Sequence, residues 1–192
     1  VKQAGSLVAP DRLRFDYTHF SPLSPEQIAG IEEIVNSRIR ENLEVYVSFI
    51  PYKEALERGA MALFGEKYGD IVRLVQVGEV SAELCGGTHT SRSGDLGLFK
   101  ILSETGVASG VRRIEAVTGE AAWRAVKEEE TELRAISALV KAKPGEIAEK
   151  VSRIIKQQRD TERDLQALQA RISTGQTREL ISSARNIKGI RV

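Results

Sequence analysis

Apolar residues recur along this chain at two spacings, and the change from one to the other divides it. Ser6-Leu7-Val8, a turn at Ala9-Pro10-Asp11, and then Leu13, Phe15 and Tyr17 alternating with Arg12, Arg14 and Asp16 predict a hairpin with one apolar and one charged face. Ser24, then Pro25, with Gln27 three residues on, has the form of a capping box with proline at the first helical position. Ile28, Ile31, Val35 and Ile39 add a buried stripe, so a helix is expected from about Ser24 to Asn42. Val45, Val47 and Phe49 alternate as a strand, Pro51 opens a short helix through Lys53 to Arg58, and Gly59 stops it. Ile71 to Val77, Leu98 to Ser103 and Val111 to Val117 are further strands between glycine-bearing turns. The fold class expected is α+β.

After Gly119 glycine nearly disappears and Glu, Lys, Arg, Ala and Gln dominate up to Gln176. Pro144 and Gly145 interrupt this region, which predicts two antiparallel helices, roughly Glu120 to Lys141 and Gly145 to Ser173. In the second, Ile147, Val151, Ile154, Gln158, Thr161, Leu165, Leu168 and Ile172 fall on alternating four- and three-residue steps. That is a coiled-coil seam with a polar middle, read as closing on the preceding helix rather than on a second copy. Ile187, Gly189, Ile190 and Val192 look like the first strand of another domain. The expected division is 1–119, 120–176 and 177–192.

Among 192 residues, 29% are charged with a net charge of +1, so no bulk field marks a nucleic-acid or membrane binder and any RNA contact must be local. A single cysteine excludes an internal disulfide, and there is neither a leader pattern nor an apolar run long enough to span a bilayer. A soluble protein of a reducing compartment is expected, with no membrane partner. Val1 is not an initiator Met and the chain opens directly into a strand pattern, so both ends are expected to be cuts in a longer chain.

Candidate chemistry centres on Ser81-Ala82-Glu83-Leu84-Cys85-Gly86-Gly87-Thr88-His89-Thr90. A thiol and an imidazole four residues apart can face one point, and the glycines let the loop bend closely around a bound group. The plainer alternative is a cysteine used as small apolar filler beside a surface histidine. A zinc site would need two more ligands, and Glu83, Thr88, Thr90 or His19 do not share the spacing.

The stretch Glu83-Leu84-Cys85-Gly86-Gly87-Thr88-His89 resembles the CxxxH half of the editing site of alanyl-tRNA synthetases. Gly59 to Tyr68, Gly94 to Ile101 and Gly110 to Gly119 look like signature stretches of that family in the family's order, as do Gln3 to Val8 and Leu13 to His19. The likeness is dense to Gly119 and looser beyond. It implies most of the family's editing domain, the second additional domain shared by threonyl- and alanyl-tRNA synthetases, truncated at its start and followed by a helical segment. The implied activity is hydrolysis of serine or glycine wrongly esterified to alanine tRNA, within a cytoplasmic ligase that joins alanine to its tRNA.

In similar enzymes a zinc ion held by HxxxH and CxxxH pairs helps position the ester. Cys85 and His89 match the second pair. No HxxxH occurs in this chain, so two of four ligands are lacking, and the chain alone is expected neither to hold zinc nor to edit. It also lacks the ATP- and alanine-activation elements, so ATP and Mg²⁺ belong to the rest of the parent. The likeness makes Gln3, Gly86, Gly87 and Thr88 substrate contacts. Arg12, Arg14, Arg92, Arg112 and Arg113 are candidates for the tRNA acceptor end, where phosphates suit guanidinium forks. Arg112 and Arg113, adjacent in a strand, must point to opposite faces. His19 and Trp123 are read as structural. The helical region is read as an arm towards a C-terminal tRNA-binding and dimerising domain, through which a full-length parent could form a homodimer. Two rivals stand beside this reading: a free-standing trans-editing protein, and a non-catalytic coiled-coil assembly module.

Overall fold

The structure, a computed structural model, describes residues 1–62, 68–183, 186–187 and 190–191, with side chains described as far as Thr174. It is an α+β fold that divides into two compact units, Val1–Glu128 and Glu129–Val192.

The first unit contains β1 (Gln3–Val8), β2 (Leu13–Thr18), α1 (Pro25–Arg40), β3 (Val45–Pro51), α2 (Tyr52–Glu57), β4 (Ile71–Val77), β5 (Ser81–Leu84), β6 (Phe99–Ala108) and β7 (Val111–Thr118). Helix α3 (Gly119–Val140) follows, and the division falls within it. The predicted hairpin forms with Val8 opposite Leu13, and β2 then pairs with β7, giving an antiparallel sheet of order β1-β2-β7-β6. Alternation sends Leu13 inward and Arg14 outward along β2, while its partner strand places Ile114 and Ala116 on the apolar side.

Helix α1 starts with the predicted capping box, in which the Gln27 amide donates to Ser24 and the Ser24 amide donates to the Gln27 side chain. Its stripe of Ile28, Ile31, Val35 and Ile39 packs on Phe99, Ile101, Ile114 and Ala116. Burying each such aliphatic side chain is worth about 1.5–3 kcal/mol. The helix also caps the sheet edge: Asn36 exchanges two 2.8 Å hydrogen bonds with the Phe99 backbone, and Glu32 accepts the Ile101 amide at 2.7 Å. Edge groups that would otherwise lack partners are thus satisfied by side chains.

A second sheet, β3-β4-β5, packs one face on α2 through Val72, Leu74, Leu84 and Ala55, with Leu74 wholly buried. Its other face carries the exposed Val47, Phe49 and Ile71 together with the buried Val75. The structure differs from expectation at β6, which runs on to Ala108 because two register shifts, after Ile101 and after Gly106, absorb the irregular residues. It differs again at Ser81–Leu84, expected as part of a loop, which is a strand. Four residues are too few for period-two alternation to stand out.

In the second unit a 3₁₀ turn at Pro144–Glu146 leads into α4 (Ile147–Ser183), then β8 (Asn186–Ile187) and β9 (Ile190–Arg191). Of the seam expected to close on the preceding helix, Ile147 and Val151 are half-buried, whereas Ile154, Leu165, Leu168 and Ile172, and Leu139 on α3, are exposed. At 1.5 Å per residue the 37-residue α4 outruns the 22-residue α3 by about 20 Å, and the polar Gln158 and Thr161 divide the seam. The single terminal strand expected is instead a pair, Ile187 opposite Ile190, while Gly189 and Val192 lie outside the described residues. Among the described residues no helix is long and apolar enough to cross a membrane.

Candidate functional site

Cys85 directly follows β5, and the loop from Gly86 to Thr90 is exposed, with Cys85 itself half-buried. Three main-chain bonds fix its start: the Met61 amide donates to Ala82, the Leu84 amide to Met61, and the Cys85 amide to Arg73, at 2.8, 3.0 and 3.2 Å. The Arg73 guanidinium returns a bond to the Cys85 carbonyl at 2.5 Å. At the far end, Ser93 is buried, and its hydroxyl accepts the Leu43 amide and donates to the Arg38 carbonyl, both at 2.8 Å. The Val45 amide donates to Ser91, and Arg92 reaches the Asn42 carbonyl and the Glu44 carboxylate. The loop is therefore suspended between β4 on one side and the exit of α1 on the other.

Between these anchors, among the described residues, the amides of Gly86, Gly87, Thr88 and His89 have no hydrogen-bond partner. A Cβ on Gly86 would meet nothing within 4 Å, whereas one on Gly87 would stand 3.6 Å from the Cys85 sulfur. Successive free amides on a glycine-rich turn can receive an anion or a polarised carbonyl. The Thr88 hydroxyl and His89 imidazole are exposed beside them.

The other predicted residues lie on the four-stranded sheet or, for Arg12, in the turn that leads into β2. Gln3, on β1, donates to the Ser6 hydroxyl at 3.1 Å. Arg113 forks onto Asp16 at 2.7 and 2.9 Å, Arg14 approaches the same carboxylate at 3.6 Å, and Arg12 lies 3.9 Å from Glu115. The Arg113 bonds hold the Asp16 carboxyl below its ordinary range despite burial. Arg112 points to the opposite face, as alternation requires, and forks onto Glu104. Glu104 also accepts the Tyr17 hydroxyl at 2.7 Å. Arg112 pulls the Glu104 carboxyl down to about 2, while burial and then Glu104 push the Tyr17 phenol up to about 12. All five candidate arginines thus already hold intrachain partners, and Arg112, with its side chain 14% exposed, is the most enclosed of the five.

His19 stacks near Tyr17 and Phe20, in keeping with a structural role. Trp123, expected in packing, is 55% exposed with the Lys127 ammonium 4.8 Å from its ring centroid, and the buried residue of that helical turn is Ala122. Sequence reasoning missed Arg73, Ser93 and Glu104. Arg73 and Glu104 look like the polar halves of strand alternation, and Ser93 like a loop serine. Only the partner of each, remote in sequence, reveals it.

Residues 72–115, which run from β4 through the loop into β7, match the threonyl and alanyl tRNA synthetase second additional domain. All 192 residues align with an alanine–tRNA ligase of Xanthomonas campestris pv. campestris at 52% identity. They align with those of Nitratidesulfovibrio vulgaris and Listeria monocytogenes at 48%. The chain belongs to the alanyl-tRNA synthetase family. It spans 22% of the length of these relatives. The signature stretch Gly59 to Tyr68 is described only in part, since residues 63–67 lie outside the described residues.

The family implies zinc, and a thiol with an imidazole is a suitable donor type for it. The number does not fit: among the described residues no three His, Cys, Asp or Glu side chains are grouped to hold a metal ion. Cys85 and His89 alone leave the tetrahedron half made.

Proposed function

We propose that the first unit is the aminoacyl-tRNA editing part of an alanyl-tRNA synthetase, removing serine or glycine wrongly esterified to alanine tRNA. An alanine pocket excludes these poorly, because one methyl or one hydroxyl is worth only about 1–3 kcal/mol, so a second site must recheck the product. The observation that carries the reading is the loop from Gly86 to His89, whose amides find no partner among the described residues, pinned at both ends and flanked by a thiol and an imidazole. In this reading those amides receive the ester carbonyl and stabilise its oxyanion as water adds. The acyl–oxygen bond then breaks, the amino acid leaves as a carboxylate, and the tRNA hydroxyl regains its proton. Gln3 and Thr88 contact the aminoacyl end. Arg12, Arg14, Arg92, Arg112 and Arg113 contact the phosphates of the acceptor end, with Arg14 and Arg113 on one sheet face and Arg112 on the other.

Zn²⁺ completed by ligands from elsewhere in a longer protein, ATP and Mg²⁺ for aminoacylation, a dimeric parent and a cytoplasmic setting belong to the same proposal. The chain alone should neither charge nor deacylate tRNA. A likeness to ligases that runs through all 192 residues, helical region included, favours a synthetase over a free-standing editing protein.

The test is Cys85→Ala in the full-length enzyme. Deacylation of preformed seryl-tRNA should fall at least about tenfold, while alanine-dependent pyrophosphate exchange stays near wild type. Wild-type deacylation in a folded variant would make Cys85 the plain filler and remove the reading's basis.

A further inference from the structure

One side chain holds Cys85 where the sheet stops doing so. The last residue pair between β4 and β5 is Leu74 with Leu84, and the next step brings Arg73 opposite Cys85. In a continued antiparallel ladder these two residues would exchange both main-chain bonds. Only half of that exchange is present, the Cys85 amide donating to the Arg73 carbonyl at 3.2 Å. The other half is supplied by Nη1 of Arg73, which donates to the Cys85 carbonyl at 2.5 Å. Arg73 is itself fixed on the central strand, with Phe49 of β3 opposite it on the other side.

We propose that Arg73 is a positioning residue for the Cys85–His89 loop, its guanidinium substituting for the missing ladder bond. With its amide held by the Arg73 carbonyl and its own carbonyl by the Arg73 guanidinium, Cys85 is fixed at both of its peptide bonds. That sets the direction in which the free amides of Gly86 and Gly87 leave the strand. A planar, charged fork suits the task because it bridges from a side chain to a carbonyl with little freedom left to lose. The consequence for catalysis rests on the editing reading above; the consequence for the loop does not.

The experiment uses the full-length enzyme with Arg73→Leu, which removes the donor, and Arg73→Lys, which keeps one. Amide hydrogen exchange followed by mass spectrometry should show the segment containing Cys85 exchanging about tenfold faster in Arg73→Leu, with partial recovery in Arg73→Lys. The kcat for seryl-tRNA deacylation should fall about tenfold or more with KM little changed, again partly restored by lysine, while alanine-dependent pyrophosphate exchange holds. A purely structural role would lower the unfolding midpoint without this split between kcat and KM. Unchanged exchange in Arg73→Leu overturns the proposal, and so does faster exchange with wild-type deacylation. The Cys85→Ala result decides separately whether the loop is the editing site. Should Arg73→Leu fail to fold, Arg73→Gln offers the same comparison with less loss of polarity.

Discussion

Ser93→Ala tests the far anchor of the loop most directly. Ser93 is 6% exposed, and its hydroxyl bridges the Leu43 amide and the Arg38 carbonyl, each at 2.8 Å. Its own amide bond to the Leu43 carbonyl, also 2.8 Å, survives the change. Alanine fills nearly the same space but offers neither donor nor acceptor. Two hydrogen bonds at about 0.5–1.5 kcal/mol each, with both main-chain partners left part-buried and unpaired, make the expected loss about 2–3 kcal/mol. In a unit of this size about 1 kcal/mol moves Tm by about 3–5 °C, so the midpoint should drop by about 6–15 °C. Trp123, the only tryptophan, belongs to the same unit and reports its unfolding by fluorescence. Ser91→Ala is the control, since its hydroxyl bond to Asp95 is exposed and should change stability by less than about 0.5 kcal/mol. A Ser93→Ala midpoint no lower than that of Ser91→Ala would refute the claim that the hydroxyl anchors the loop.

The Glu104 carboxyl is depressed from 4.5 to about 2, so its contribution is complete above about pH 4.5 and is lost as pH falls towards about 2. The urea midpoint should therefore decline over that interval, and less steeply in Glu104→Gln; equal acid limbs would disprove the contribution. Gly97 has φ of 65°, and a Cβ there would stand 3.2 Å from the Gly119 Cα. Gly97→Ala should therefore cost about 1–3 kcal/mol in chemical denaturation, and a neutral result would show that the handover from β7 to α3 is soft. A chain ending after Glu128 should keep cooperative unfolding by Trp123 fluorescence. One ending after Gly119, which loses the wholly buried Ala122, should unfold at lower urea by circular dichroism. Equal midpoints would place the edge of the unit at Gly119.

What could be read in advance follows the range of the interactions involved. The capping box at Ser24 and the stripe Ile28–Ile31–Val35–Ile39 are local, and α1 lies where they put it. The loop around Cys85 stood out through the family resemblance of Glu83 to His89, because a thiol and an imidazole four residues apart are by themselves a weak signal. Its anchors were not, since Ser93 acts on Arg38 and Leu43, 55 and 50 positions away. The arginines illustrate the same limit: alternation assigned Arg112 and Arg113 to opposite faces, but not the carboxylates that hold them. On α4 periodicity records an apolar stripe and not what lies against it, so the exposure of Leu165, Leu168 and Ile172 could not be read from spacing.

The pairing of β2 with β7 sets an order of events during synthesis. Asp16 and Arg113 bond across 97 positions, so the β1–β2 hairpin leaves the ribosome long before its neighbour exists. At about 5–20 residues per second the wait lasts roughly 5–20 seconds, far longer than a hairpin needs to form. Throughout that time the edge of β2 is unpaired and Leu13, Phe15 and Ile31 lack the β6 and β7 residues that will cover them. Rare codons placed between Thr18 and Val111 would lengthen this exposure, whereas the same codons after Thr118 would not.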